Sequence, residues 1–151
     1  MSTILKVTGL TKHFPVAKKS FFGKTETVQA VDDVSFEIGA GEAVGLVGES
    51  GCGKSTTGRL ITRLIEPTAG SIEFDGEEIS NKNSKQLLSI RPKLQMIFQD
   101  PYASLNPRHT VGTIISTPMK INGIKPEGGT KKAVQELLEI VGLNPEHYNR
   151  Y

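Results

Sequence analysis

The chain has 151 residues, of which 36% are hydrophobic and 23% are charged, a composition typical of a globular domain. Its formal charge of +2 comes from 18 basic and 16 acidic residues spread along the chain, so charge gives no reason to expect a nucleic-acid partner. Short apolar runs, the lack of a secretory pattern at the N-terminus and a single cysteine, Cys52, predict a cytosolic protein without a membrane span or an internal disulfide.

Two strands are predicted in the N-terminal part. Residues 4–7 begin an alternating strand, and residues 28–38 continue in a mostly alternating pattern. Residues 15–27, between them, are polar and are interpreted as a surface loop anchored by Phe21 and Phe22. Phe14 follows the first strand, where its ring can either pack into the core or stack on a purine, and the residues alone leave both interpretations open.

Residues 48–56 read GESGCGKST and fit the pattern G-x-x-x-x-G-K-[ST] at every constrained position. The glycines let backbone N–H groups point at a phosphate, Lys54 adds a positive charge and Ser55 offers a hydroxyl to Mg²⁺. Residues 42–47 predict a short apolar strand before the loop, and apolar residues recur at helical spacing after it until Pro67. This order of strand, loop and helix favours a phosphate-binding P-loop over a glycine-rich turn with an incidental Lys-Ser.

An acidic residue for Mg²⁺ is harder to find. NTPases use a buried apolar strand that ends in an acid, and the pair Phe74-Asp75 is the nearest match. We instead predict a hairpin over residues 71–79, because Glu73 interrupts the apolar run and Asp75-Gly76 is a strong turn signal. No other stretch of the chain supplies an apolar run closed by Asp-Glu.

Residues 84–90 predict a short helix, and residues 94–98 predict a strand that ends at Gln99. Pro101 would then direct the chain out of the sheet. Gln99 can place its amide oxygen on Mg²⁺ or on an attacking water, or it can be a polar residue at a strand end, and both interpretations stay open.

The remainder is predicted to be helical. Thr110 should cap a helix over residues 111–119, and Thr130 should cap a second helix over residues 131–141 that Gly142 ends. Gly128 and Gly129 are interpreted as a linker before this cap rather than as a second anion site.

These motifs carry a family resemblance. Phe14, residues 48–56 and residues 96–101 (MIFQDP) occur in the order and approximate spacing seen in ATP-binding subunits of ABC transporters. Residues 102–108 (YASLNPR) resemble the oligopeptide/dipeptide importer branch, which includes nickel and glutathione importers. The resemblance covers essentially the whole chain. It implies an α/β P-loop NTPase core with an N-terminal antiparallel β region and Q-loop in about residues 1–109, followed by the start of a helical subdomain in residues 110–151.

The resemblance also implies a site and partners. Phe14 would stack on adenine, the P-loop would be the Walker A loop, and Ser55 with the Q-loop residue Gln99 would hold Mg²⁺. The implied ATP-binding residues are Phe14, Gly48, Glu49, Ser50, Gly51, Cys52, Gly53, Lys54, Ser55, Thr56 and Gln99. The implied partners are transmembrane permease subunits, docked near residues 100–108, and a second ATP-binding subunit, identical or related. The protein would lie on the cytoplasmic face of the cell membrane.

One departure limits the implied activity. The chain ends at Tyr151, before the places where the family keeps its Ser-Gly-Gly-Gln signature, its Walker B aspartate with the adjacent catalytic glutamate, and its switch histidine. We therefore assign no catalytic residue and expect this chain, taken alone, to bind nucleotide without ATPase turnover. Whether it is a fragment of a longer subunit or a complete truncated product stays open.

Overall fold

The computed structural model describes residues 2–16, 27–100 and 104–151. The predicted Phe21-Phe22 anchor and the Tyr102-Ala103 part of the importer motif therefore lie outside the described residues. The chain divides into two compact units, Met1–Met96 and Ile97–Tyr151. None of the helices in the described ranges combines the length and the apolar character needed to cross a bilayer.

The first unit is built on a four-stranded antiparallel sheet with the strand order β2-β1-β3-β4. The strands are β1 (Thr3–Pro15), β2 (Thr27–Gly39), β3 (Ala69–Phe74) and β4 (Glu77–Glu78). Alternate positions of β1 and β3, including Val7 and Ile72, are buried in one core. The predicted antiparallel β region is thereby confirmed.

The predicted hairpin is also confirmed. β3 and β4 are joined by Asp75 and Gly76, whose φ angles are 53° and 75°. Positive φ at both central residues is the geometry of a two-residue type I′ turn, whose twist matches that of the flanking strands. Asp75 forms an exposed ion pair with Lys93, with its carboxylate 3.4 Å from the ammonium nitrogen.

One helix packs on this sheet. Helix α1 (Lys54–Ile61) buries Leu60 completely in the same core, together with residues around a short 3-10 helix (Gln86–Ser89) that was predicted as a short helix. α1 ends earlier than its apolar spacing predicts, because Arg63 takes a φ of 53°. The buried Arg63 guanidinium donates to the carbonyl oxygens of Ile79 and Lys82, each at 3.0 Å, and this ties the chain reversal to the segment after β4.

Two predicted strands are absent from this structure. Residues 42–47 and 94–98 have no strand partner among the described residues. Val47 is 89% exposed and Ile97 is 97% exposed. A β-strand exists only when a neighbour completes its backbone hydrogen bonds, and an apolar sequence pattern does not supply that neighbour. Both strand predictions are therefore wrong for the structure of this chain.

The second unit is helical. It contains α2 (Val111–Ile121), α3 (Thr130–Ile140) and a 3-10 helix (Pro145–Asn149). Thr110 caps α2 as predicted, since its hydroxyl oxygen accepts from the Thr113 N–H at 3.2 Å. Gly112 of α2 lies against the Tyr148 ring, leaving no room for a Cβ. Val134 and Leu138 are the buried apolar residues of α3.

Of the two predictions for the ends of α3, one is confirmed and one is wrong. Gly142 ends the helix as predicted: its φ is 77°, and its N–H donates to the Glu139 carbonyl at 2.9 Å while Leu143 donates to Leu138 at 2.8 Å. This pair of bonds is a Schellman motif. The predicted Thr130 cap is wrong, because α3 begins at Thr130 itself and Gly129, with a φ of 91°, occupies the cap position. A residue already in helical conformation is not placed to cap its own helix.

Candidate functional site

The P-loop rests on β2 through Gly53. This residue precedes α1 with a φ of 96°, a conformation that residues with a side chain rarely adopt. A Cβ at Gly53 would overlap the carbonyl oxygen of Ala30 and lie 3.5 Å from Cγ2 of Val31. Glycine is therefore required at this position for two reasons, the backbone conformation and the close approach to β2.

The N-terminus of α1 has no side-chain cap and no acidic residue in its first turn. The first N–H groups of a helix lack intrahelical partners and carry the positive end of the helix dipole. The Thr57 N–H already donates to the Gly53 carbonyl at 2.8 Å. Ser55 is exposed on this first turn. The helix end is thus suited to receive an anion, and Ser55 is placed to present its hydroxyl there.

Lys54 lies inside its own loop. Its ammonium donates to the carbonyl oxygens of Gly48 at 2.8 Å and Glu49 at 2.5 Å, and it is 3.5 Å from Cys52 Sγ. The backbone acceptors are neutral, whereas phosphate oxygens are charged and form stronger hydrogen bonds with a cation. The ammonium is therefore held where it can exchange loop carbonyls for phosphate oxygens.

The strand register brings Phe14 close to this loop. Phe14 pairs with Val28 on β2, two residues before Ala30, on which Gly53 rests. With about 3.3 Å per residue and about 4.8 Å between strands, Phe14 lies within about 10 Å of that contact. Phe14 is 38% exposed and is not among the residues of the core, contrary to the packing interpretation.

The remaining predicted residues are placed as follows. Gln99 is exposed and belongs to the second compact unit. Exposed loop residues are Gly48, Glu49, Ser50, Gly51 and Cys52, and Thr56 is half-buried on the first turn of α1. The described part of the chain contains no group of three or more His, Cys, Asp or Glu placed to hold a metal ion.

Sequence reasoning missed two residues at this site. Ala30 supplies the carbonyl on which Gly53 rests, and no local pattern marks such a contact. Lys12 places its ammonium 5.1 Å from the centroid of the Phe14 ring. The spacing of two residues on a strand puts both side chains on one face, and it could have indicated this contact.

A glycine-rich loop on a strand, an uncapped helix N-terminus and a lysine among the loop carbonyls together define a nucleotide-binding protein of the P-loop class. A profile of the ABC transporter family matches residues 31–151. The chain therefore belongs to the ABC transporter family.

Curated relatives agree with this assignment. The oligopeptide transport ATP-binding protein OppF of Bacillus subtilis (strain 168) is 56% identical over 136 residues, covering 89% of this chain and 45% of OppF. The di/tripeptide transport ATP-binding protein DppF of Pseudomonas aeruginosa (strain UCBPP-PA14) is 43% identical over 151 residues, covering 100% of this chain and 46% of DppF. The glutathione import ATP-binding protein GsiA of Salmonella typhi is 48% identical over 148 residues, covering 98% of this chain and 24% of GsiA. The chain thus spans less than half the length of these relatives.

Solved structures confirm the predicted fold. The ATP-binding cassette MJ0796, in a dimeric post-hydrolysis state bound to ADP and Pi, matches with a TM-score of 0.77 and 25% identity over 96% of this chain and 60% of that chain. A second dimeric structure of MJ0796 matches with a TM-score of 0.74 and the same identity. The α/β P-loop NTPase fold and the resemblance to peptide-importer ATP-binding proteins are both confirmed.

Proposed function

We propose that the chain binds ATP with Mg²⁺ through residues 48–56, as the nucleotide-binding part of an ABC importer for peptides. The observation that carries the proposal is the arrangement of the loop. Gly53 rests on β2, the α1 N-terminus has no side-chain cap, and the Lys54 ammonium lies among the loop carbonyls. These groups supply inward N–H donors, a dipole and a charge for one polyphosphate.

The base and the metal complete the proposed site. Phe14 stacks on adenine, which its exposure and its register next to the loop support. Ser55 coordinates Mg²⁺ through its hydroxyl oxygen from the first turn of α1, and Gln99 is the second proposed protein ligand. Mg²⁺ usually keeps several waters and the substrate phosphates as ligands, so two protein oxygens are sufficient.

The proposed partners follow from the relatives. OppF and DppF are named as oligopeptide and di/tripeptide transport proteins, and MJ0796 is dimeric in its structures. We propose that the chain assembles with transmembrane permease subunits, which would dock near residues 100–108. Its other proposed partner is a second ATP-binding subunit at the cytoplasmic face of the membrane. Glutathione import is the second candidate, supported by the 48% identity with GsiA against 56% with OppF.

Binding and turnover are separate proposals. Hydrolysis needs a positioned water and groups that stabilise charge in the transition state, in addition to a phosphate cradle. These 151 residues contain no apolar run closed by Asp-Glu that could provide the acid. The chain on its own therefore binds ATP without hydrolysing it.

Thermal unfolding with and without nucleotide tests the binding proposal. At ATP·Mg²⁺ concentrations near a hundred times Kd, binding should add about 2.7 kcal/mol to the free energy of unfolding. Lys54→Ala should lose this stabilisation, because it removes the charge that faces the phosphates. Lys85→Ala, at an exposed lysine outside the loop, is the matched control and should keep it. Equal stabilisation of the wild-type and Lys54→Ala chains would contradict the proposal.

A further inference from the structure

We propose that Lys12 is a positioning residue for the nucleobase, because its ammonium covers one face of the Phe14 ring and directs the base to the other face. The inference rests on the proposed function, in which Phe14 stacks on adenine. It adds a specificity residue that acts through Phe14.

The Lys12 ammonium is fixed by two contacts. It lies 5.1 Å from the centroid of the Phe14 ring, and it donates to the carbonyl oxygen of Glu66 at 2.7 Å. Glu66 follows α1 and is 54 residues away in sequence. The side chain of Lys12 is therefore held between β1 and the segment that leaves the P-loop helix, with its charge over the ring.

The register ties this pair to the phosphate cradle. Lys12 is paired with Val31 on β2, and Val31 is also one of the residues that Gly53 approaches. Phe14 is paired with Val28 on the same strand. Residues 28–31 of β2 thus include the residues that Gly53 approaches, the partner of Phe14 and the partner of Lys12.

The chemistry of an aromatic ring explains the effect. A cation over one face is attracted by the negative π-cloud and draws electron density toward itself. The opposite face then repels the electron-rich π-system of a purine less strongly. Since Lys12 occupies one face, a base can stack only on the other, and the 38% exposure of Phe14 leaves part of the ring accessible. Lys12 both limits the orientation of the base and strengthens its stacking.

The test compares ATP·Mg²⁺ with Mg²⁺-tripolyphosphate, which has the phosphates but no base, by calorimetric titration. Lys12→Met keeps the aliphatic stem and removes the charge, so ATP should bind more weakly, by up to about fivefold, the full strength of an exposed cation–π contact. Tripolyphosphate affinity should not change. Lys12→Arg keeps a cation over the ring and should stay near the wild-type ATP affinity.

Phe14→Ala separates this inference from the proposed function. Phe14→Ala should also weaken ATP and leave tripolyphosphate unchanged. If Phe14→Ala alters neither ligand, the base contact itself fails and the inference fails with it. If Phe14→Ala weakens ATP but Lys12→Met does not, or Lys12→Met weakens both ligands equally, the role of Lys12 alone is overturned. Lys12→Arg behaving like Lys12→Met would also overturn it, because the charge would then not be the cause.

Discussion

Gly53 shows how far a phosphate cradle can depend on a single missing Cβ. The residue combines a φ of 96° with a backbone approach to Ala30 that leaves no space for a side chain. Lys54, the next residue, donates from its ammonium to the carbonyl oxygens of Gly48 and Glu49. The close approach to β2 and the charge inside the loop thus come from two consecutive residues.

Cys52 offers a direct probe of the loop. It is exposed, and its Sγ lies 3.5 Å from the Lys54 ammonium and only 2.7 Å from the place of a Cβ on Gly48. A thiol near a lysine and a helix N-terminus reacts readily with alkylating agents. We expect N-ethylmaleimide to label Cys52 quickly, and ATP·Mg²⁺ to slow the labelling because bound phosphates cover the loop.

The control for this labelling is Mg²⁺-tripolyphosphate, which should also protect Cys52 since the protection comes from the phosphates. The chain has one cysteine, so the mass increase reports on this site alone. Labelling rates that do not change when either ligand is added would show that the anion does not bind over the loop.

At the level of elements, the ion pair between Lys6 and Glu37 links β1 and β2. Lys6 and Glu37 are directly opposite in the register, with the ammonium 2.8 Å from the carboxylate oxygen. The hydrogen bond between them, together with charge attraction, lowers the pKa of Glu37 below its ordinary value of 4.5. The same contact raises the pKa of Lys6 above its ordinary value of 10.5.

The signs of these two shifts predict a pH window. A lowered carboxylate pKa contributes stability above pH 4.5 that is lost as the pH falls through the folded-state pKa, and a raised lysine pKa contributes stability below pH 10.5 that is lost at higher pH. The pair is exposed, so the effect should be small. We expect the unfolding temperature of wild type to exceed that of Glu37→Gln between these limits, and the difference to vanish on the acid side. A difference that is equally large at pH 2 and pH 7 would exclude the pair as its source.

Local sequence signals predicted several elements correctly. Asp75-Gly76 fixes its hairpin, Thr110 caps α2 and Gly142 ends α3, because each acts through its own backbone or its immediate neighbours. Thr130 was misplaced by one position, since Gly129 can also serve as a cap. The strands predicted at residues 42–47 and 94–98 depend on partners distant in sequence, which periodicity cannot detect.

The same distinction applies to the site. The P-loop could be predicted because its chemistry lies within nine consecutive residues, 48–56. The close approach of Gly53 to Ala30 and the hydrogen bond from Lys12 to Glu66 each join residues more than 20 positions apart. These contacts arise from the pairing of β1 with β2 and from the path of α1, so a search for local sequence motifs cannot detect them.

For the chain as a whole, the proposed binding function depends on the unit Met1–Met96. Phe14, the P-loop and Lys12 all lie in that unit, whereas Gln99 lies in Ile97–Tyr151. The solved cassettes extend beyond the part that this chain covers, which is 60% of MJ0796. We therefore expect nucleotide affinity, for which the phosphate cradle is present, without turnover, which needs further groups.

Equilibrium dialysis with γ-labelled ATP and Mg²⁺ tests this separation most directly, because bound nucleotide and released phosphate are counted in one sample. For the wild-type chain, we expect saturable binding that Lys54→Ala loses, with phosphate release no faster than in buffer. Absence of saturable binding would contradict the proposed cradle. Phosphate release that depends on Lys54 would contradict the claim that the chain binds ATP without turning it over.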